Sequence, residues 1–301
     1  MLKDNENLNL LQKRIILIST TIASFLVSYT ISAVNVALPT IGLEFNLSPI
    51  EVGWIQNTYL LASVVFLIPF GRLADIKGRK KIFLTGLFLF TIFSLLTYIA
   101  VSKEIFYIIR FIQGAGASMI VSTSVAIITS AFPKNGLGKA LGINTAVLYV
   151  GLSVGPYIGG FLTQNFGWKS IFLSSVIVGA FALSLTIFKI RLEWKGAYGK
   201  FDYIGMIFYG TALASIVYGT TYIEQMASNM FVNPILILSI GIISLITFII
   251  WQLKKHEPLI DVRIFRYNKP FTYSNLAALI NYSATYMLSF LLSIYLQVVR
   301  V

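Results

Sequence analysis

Cysteine is absent from the 301 residues and histidine occurs once, as His256. The first absence excludes disulfides, iron–sulfur clusters, thiolate zinc sites and a cysteine nucleophile. The second excludes a multi-histidine metal site, although a Ser–His–Asp arrangement needs only one imidazole. Charge is also scarce. Asp, Glu, Lys and Arg make up 11% of the chain, against roughly 25% in an ordinary soluble domain. The eleven acids all fall in loops or at helix ends: Asp4, Glu6, Glu44, Glu51, Asp75, Glu104, Glu193, Asp202, Glu224, Glu257 and Asp261. No carboxylate stands midway along an apolar stretch, so no catalytic residue, metal or cofactor is assigned, and an enzyme is not expected.

What the chain has in quantity is apolar length, with 57% of residues hydrophobic. A bilayer needs about 20 apolar residues per helix. Nine such runs are expected to span, at 15–39, 52–71, 82–101, 105–131, 140–163, 170–188, 204–222, 234–252 and 271–297. The first is too long for a signal-peptide core and is read as a retained helix. The fold class is therefore an all-α integral membrane protein.

The net charge of +12 is explained by where the bases fall. On one side lie Lys3, Lys13, Arg14, the 72–81 cluster, Lys134, Lys139, the 189–200 group and the 254–269 group, nineteen in all. The other side holds Lys103, Lys169 and Arg300, and Arg110 sits within a run. Positive loops face the cytoplasm, which puts the N-terminus inside a multi-pass protein of the cell membrane. Bases alternating with long apolar runs point to membrane lipids and away from nucleic acid as a partner. The chain stops directly after the ninth run, without a closing loop, so it is expected to be cut short.

Three stretches carry mechanism. Between runs two and three stands Gly71-Arg72-Leu73-Ala74-Asp75-Ile76-Lys77-Gly78-Arg79-Lys80-Lys81. Its glycines permit a tight turn, its acid can accept arginine or backbone donors, and its bases anchor at headgroups. Run four contains Arg110-Phe111-Ile112-Gln113-Gly114-Ala115-Gly116. An arginine at that depth needs a partner or a watery cavity. Run five contains Gly151, Gly155, Pro156, Gly159 and Gly160. Glycines every four residues make a smooth helix face, and Pro156 removes a backbone donor, which makes it a candidate hinge.

These stretches, in this order, resemble the signature loop, the span-four motif and the antiporter motif of the major facilitator superfamily. Asn35-Val36-Ala37-Leu38-Pro39 and Glu257-Pro258-Leu259-Ile260-Asp261 resemble its fourteen-span drug:proton antiporters. The resemblance implies a six-helix N-terminal bundle (1–190), two linker helices (191–256) and the first helix of an incomplete second bundle (257–301). It also implies a secondary active transporter working by alternating access, with a small-molecule substrate and protons as the coupling ion. The expected activity is export of hydrophobic or cationic compounds. The alternatives are export of an anionic metabolite, or a truncated protein that transports nothing. Gly71, Asp75, Gly78 and Arg79 would gate, and Arg110, Gln113 and Gly114 would form the span-four motif.

One position departs from the family. Aligned on Asn35 to Pro39, the usual span-one aspartate is Thr30 and the following threonine is Ser32. Threonine does not titrate at physiological pH. Arg110 is expected to use neutral acceptors such as Thr30, Asn35 or Gln113, the alternatives being an acid from the missing helices or an anionic substrate. Thr30, Ser32, Asn35, Asn57, Tyr59, Asn144 and Tyr149 are candidates for lining the pathway, with plain interhelical packing as the competing role.

Overall fold

The computed structural model describes residues 8–194, 199–223 and 233–299; the side chains of 134 and 285–299 also lie outside the described residues. Lys3, Lys195 and Arg300, used in the topology argument, and the acids Asp4, Glu6 and Glu224 fall outside the described residues. The described residues form ten α-helices and one short 3₁₀ turn, without a strand. The long helices are α1 (Leu10–Glu44), α2 (Pro49–Lys77), α3 (Arg79–Leu96), α4 (Lys103–Ala131), α5 (Lys134–Phe166), α6 (Lys169–Lys189), α7 (Tyr203–Tyr222), α8 (Pro234–Lys254) and α10 (Lys269–Val299). The four residues Ile264–Tyr267 make α9.

Among the described residues, eight helices, α1 to α8, are long and apolar enough to cross a membrane. The ninth expected run lies within α10. Helix starts follow local capping chemistry. Asn9 with Gln12 and Ser48 with Glu51 close reciprocal capping boxes on α1 and α2. Ser102 and Asn233 cap α4 and α8. The third expected span reached 101, but α3 ends at Leu96 and its last turn tightens into the 3₁₀ segment Thr97–Ile99. Helix α5 runs unbroken through Pro156.

Helices α1 to α6 interlock. Helix α1 runs along α5 and also meets α4 and α6, while α2 and α3 both pack on α4. One apolar core joins Leu26, Phe83, Phe90 and Ile120; a second joins Val34, Ile55, Phe106 and Phe172. Helices α7 and α8 form a hairpin of their own, and its contact with the six-helix bundle runs through α2.

Candidate functional site

Three clusters gather the sequence motifs. The first sits at the α2–α3 turn. Gly78 ends α2 and opens α3 with φ +118°, a conformation that L side chains rarely adopt. Asp75 lies one helical turn before Arg79, whose Nε and Nη2 reach the same carboxylate oxygen at 2.9 and 2.8 Å. The Nη1 group of Arg79 donates to Ala126 O at 3.0 Å and to Ser130 Oγ on α4. Arg79 thus ties the turn to the far end of α4. Gly71 lies against α4 near Ser122.

A residue that the motif reading passed over completes this cluster. Helix α3 has no side-chain cap of its own, because Gly78 stands at its N-cap. Glu193, from the segment after α6, accepts from Lys80 N at 2.9 Å and Lys81 N at 3.2 Å. Arg79 N donates to Trp194 O at 2.8 Å. A carboxylate at a helix N-terminus satisfies free donors and the helix dipole together. The signal in the sequence was an uncapped helix start beside a glycine; the partner, over a hundred residues away, had no local mark.

The second cluster surrounds Arg110, which is fully buried. Its Nε donates to Ile55 O at 3.3 Å, Nη1 to Gln113 Oε1 at 2.5 Å and Nη2 to Gln56 Oε1 at 3.0 Å. The guanidinium carbon lies 4.3 Å from the centre of the Tyr59 ring and 5.8 Å from that of Phe172. Gln113 Nε2 passes the network on to Ser94 Oγ at 2.6 Å. A planar fork with five donors suits several neutral acceptors at once. Gln113 is a partner as expected. Thr30 is not: its hydroxyl donates to Leu26 O at 2.8 Å and meets Ser175 Oγ at 2.9 Å. The α1 face carrying Thr30 turns to α6, so Arg110 draws its acceptors from α2 and from its own helix. Asn35 is exposed. Gly114 lets the α4 backbone meet α2, since a Cβ there would collide with Tyr59 O.

The third cluster is the α1–α5 seam. Built Cβ atoms at Gly151, Gly155 and Gly159 would strike α1 at Ser28, Ser32 and Ala33 respectively. Gly160 sits looser, its nearest neighbour being Val36. Ser32 Oγ donates to Leu152 O at 2.6 Å, and Ser24 Oγ to Asn144 Oδ1 at 3.0 Å. The remaining candidates are spread out. Asn57 faces a crevice of about 170 Å³ between α2 and α7, with Leu60, Leu61, Val64, Leu213 and Val217. Tyr149, half exposed, lies near Tyr282 of α10. The seven pathway candidates thus belong to several different seams.

Eight apolar crossing helices, six of them interlocked around buried polar and glycine contacts, define a multi-pass helical membrane protein. A family model described as Major Facilitator Superfamily matches residues 20–300. The chain belongs to that superfamily, whose members are transporters rather than enzymes. It is 32% identical over 290 residues to the riboflavin transporter RibZ of Clostridioides difficile, covering 95% of this chain and 61% of that one. It is 31% identical over 251 residues to the multidrug resistance protein Stp of Mycobacterium tuberculosis (83% and 47%). It is 30% identical over 247 residues to the cephamycin export protein CmcT of Amycolatopsis lactamdurans (81% and 51%). The chain therefore spans about half to three-fifths of these curated relatives. The proton:xylose symporter XylE, 14% identical, superposes with a TM-score of 0.56 over 86% of this chain and 57% of that one, a likeness of fold alone.

Proposed function

We propose that these residues are the N-terminal part of a fourteen-span exporter of hydrophobic or cationic compounds, working by alternating access with proton entry. The observation that carries this is the pairing of three motif clusters with relatives named for multidrug resistance and cephamycin export. Residues 1–190 would act as one rocking bundle, 191–256 as linkers and 257–301 as the start of a second bundle. Alternating access requires two bundles moving about a site between them. In this reading the Asp75–Arg79 turn gates the cytoplasmic end, and the glycine seam of α5 lets α1 and α5 stay close as the bundle tilts. The N-terminus faces the cytoplasm of the cell, by the asymmetry of bases.

A second reading has a specific support. Arg110 is a buried cation whose partners, among the described residues, are neutral, and one relative, RibZ, is named for riboflavin and not for drug resistance. Export of an anionic metabolite therefore stands as the alternative. Proteoliposomes made with these residues joined to a second bundle, and loaded with a labelled lipophilic cation or a labelled organic anion, separate the two. Flux of the cation that rises with an imposed proton gradient supports the first reading. Flux confined to the anion replaces it with the second, and flux of neither under any gradient removes both.

A further inference from the structure

Asp202 is the one described acid with a fully buried side chain, 1% exposed. It caps α7, accepting from Gly205 N at 3.1 Å. Trp251 Nε1 donates to both its oxygens at 3.1 Å, and Gln252 Nε2 to one at 2.9 Å. Lys255 Nζ stands 3.9 Å away. A buried carboxylate without such donors would be costly, and here they come from α7 and α8 together.

Gln252 carries the connection further. Its amide oxygen accepts from Leu259 N at 2.7 Å and Ile260 N at 3.4 Å, on the segment leading towards α9 and α10. The direction of this amide is forced. An ionised carboxylate only accepts and a backbone N–H only donates, so Gln252 must turn its nitrogen to Asp202 and its oxygen to the segment. Two further fastenings run beside it. The Glu257 carboxylate accepts from Lys200 N at 2.6 Å and fills the space where a Cβ on Gly199 would sit, a residue at φ +141°. Arg263 Nη2 donates to Leu253 O at 2.6 Å.

The seam between this hairpin and the six-helix bundle is built differently. Tyr218 and Tyr222 each lie 6.1 Å from Trp54 of α2, ring centre to ring centre. Tyr209 Oη stands 3.5 Å from Val64 O, the outer limit of a hydrogen bond. The 170 Å³ crevice beside Asn57 opens along the same seam. Apolar and aromatic contacts lack fixed direction and tolerate sliding, whereas a saturated buried carboxylate does not.

We infer that the α7–α8 hairpin and the segment 256–263 form one rigid body, clasped by Asp202 and Gln252, which shifts as a unit along α2. The inference concerns motion alone and does not require the exporter reading. Because the chain has no cysteine, introduced pairs can carry spin labels without background. Exposed sites are available on the hairpin (Ile246), on the segment (Asp261) and on the bundle (Val125). With the chain in lipid nanodiscs, the Ile246→Cys/Asp261→Cys pair should give one narrow distance distribution. The Ile246→Cys/Val125→Cys pair should give one at least about twice as wide. Gln252→Ala should broaden the first to match the second. It should also speed amide exchange at Leu259 and Ile260 at least about tenfold, the factor that 1.4 kcal/mol represents, leaving α4 unchanged. If the first distribution is as wide as the second without mutation, the body is not rigid and the inference fails. It fails equally if Gln252→Ala alters neither distribution nor exchange. The comparison of widths in the unmutated chain stands even if the variant does not fold.

Discussion

At the scale of single residues, Arg110 shows how a cation is kept in an apolar bundle without an acid beside it. Three neutral acceptors and two ring faces hold it, and each acceptor depends on the planar fork. Arg110→Lys keeps the charge but cannot reach Gln56 and Gln113 together, so a buried amide loses its donor. We expect destabilisation of about 1–3 kcal/mol, read as a lower unfolding midpoint in detergent; an unchanged midpoint would show that water replaces the fork. Thr30 lies in a separate network with Ser175 and Leu26 O. Thr30→Asp should therefore bury an acid against a carbonyl and destabilise the α1–α6 seam without pairing with Arg110. In a double-mutant cycle with Arg110→Ala, the coupling should stay within ~0.5 kcal/mol. A larger favourable coupling would mean that the two side chains do meet.

At the scale of elements, the same residue type has opposite effects along α5. Gly155 lies on α1, where a new Cβ would meet Ser32 Cβ at 2.7 Å and Tyr29 O at 3.0 Å, while Gly142 has nothing within 4 Å. Gly155→Ala should cost about 1–3 kcal/mol through overpacking. Gly142→Ala should be neutral or stabilise by up to about 1 kcal/mol, because alanine loses less entropy in a helix. Equal effects of the two would remove the close seam as the explanation. The α2–α3 turn offers a second contrast. The Asp75–Arg79 pair is partly exposed and Arg79 retains Ala126 O and Ser130, so Asp75→Asn should change stability by less than about 1 kcal/mol. Glu193→Ala removes the only side-chain cap seen on α3 among the described residues and should cost about 1 kcal/mol. If Asp75 gates, its substitution should raise thiol labelling of cysteines placed at the Lys77 end of α2 with stability unchanged; unaltered labelling reduces the turn to an anchor.

At the scale of the whole molecule, orientation and assembly are open to direct measurement. Reporter fusions after Lys81, Lys139 and Lys200 should report cytoplasm, and one after Glu44 should report the exterior. An external signal at Lys81 would invert the assignment. Residues 1–301 supply one six-helix bundle, a hairpin and one further helix. On the two-bundle requirement, purified monomeric 1–301 should show no substrate flux in proteoliposomes. Robust flux from that preparation would refute the division into a first bundle, linkers and the start of a second.

Composition and the length of the apolar runs sufficed for the all-helical class, and each of the eight crossing helices was expected to within about six residues at its ends, because bilayer thickness sets a length that can be counted along the chain. Motif spacing was likewise enough to pick out Gly78, Arg79, Arg110 and the glycine row, since these are local requirements for a turn, a buried fork and a smooth face. What the residues by themselves left open was partnership. Whether Arg110 meets Thr30 or Gln56 depends on how far each helix is rotated about its axis, and a helix nearly apolar all round has no strong moment to declare that angle. Glu193 and Asp202 read as ordinary loop acids. Only the packing of α6 against α3, and of α7 against α8, brings one to a bare helix start and buries the other among its donors.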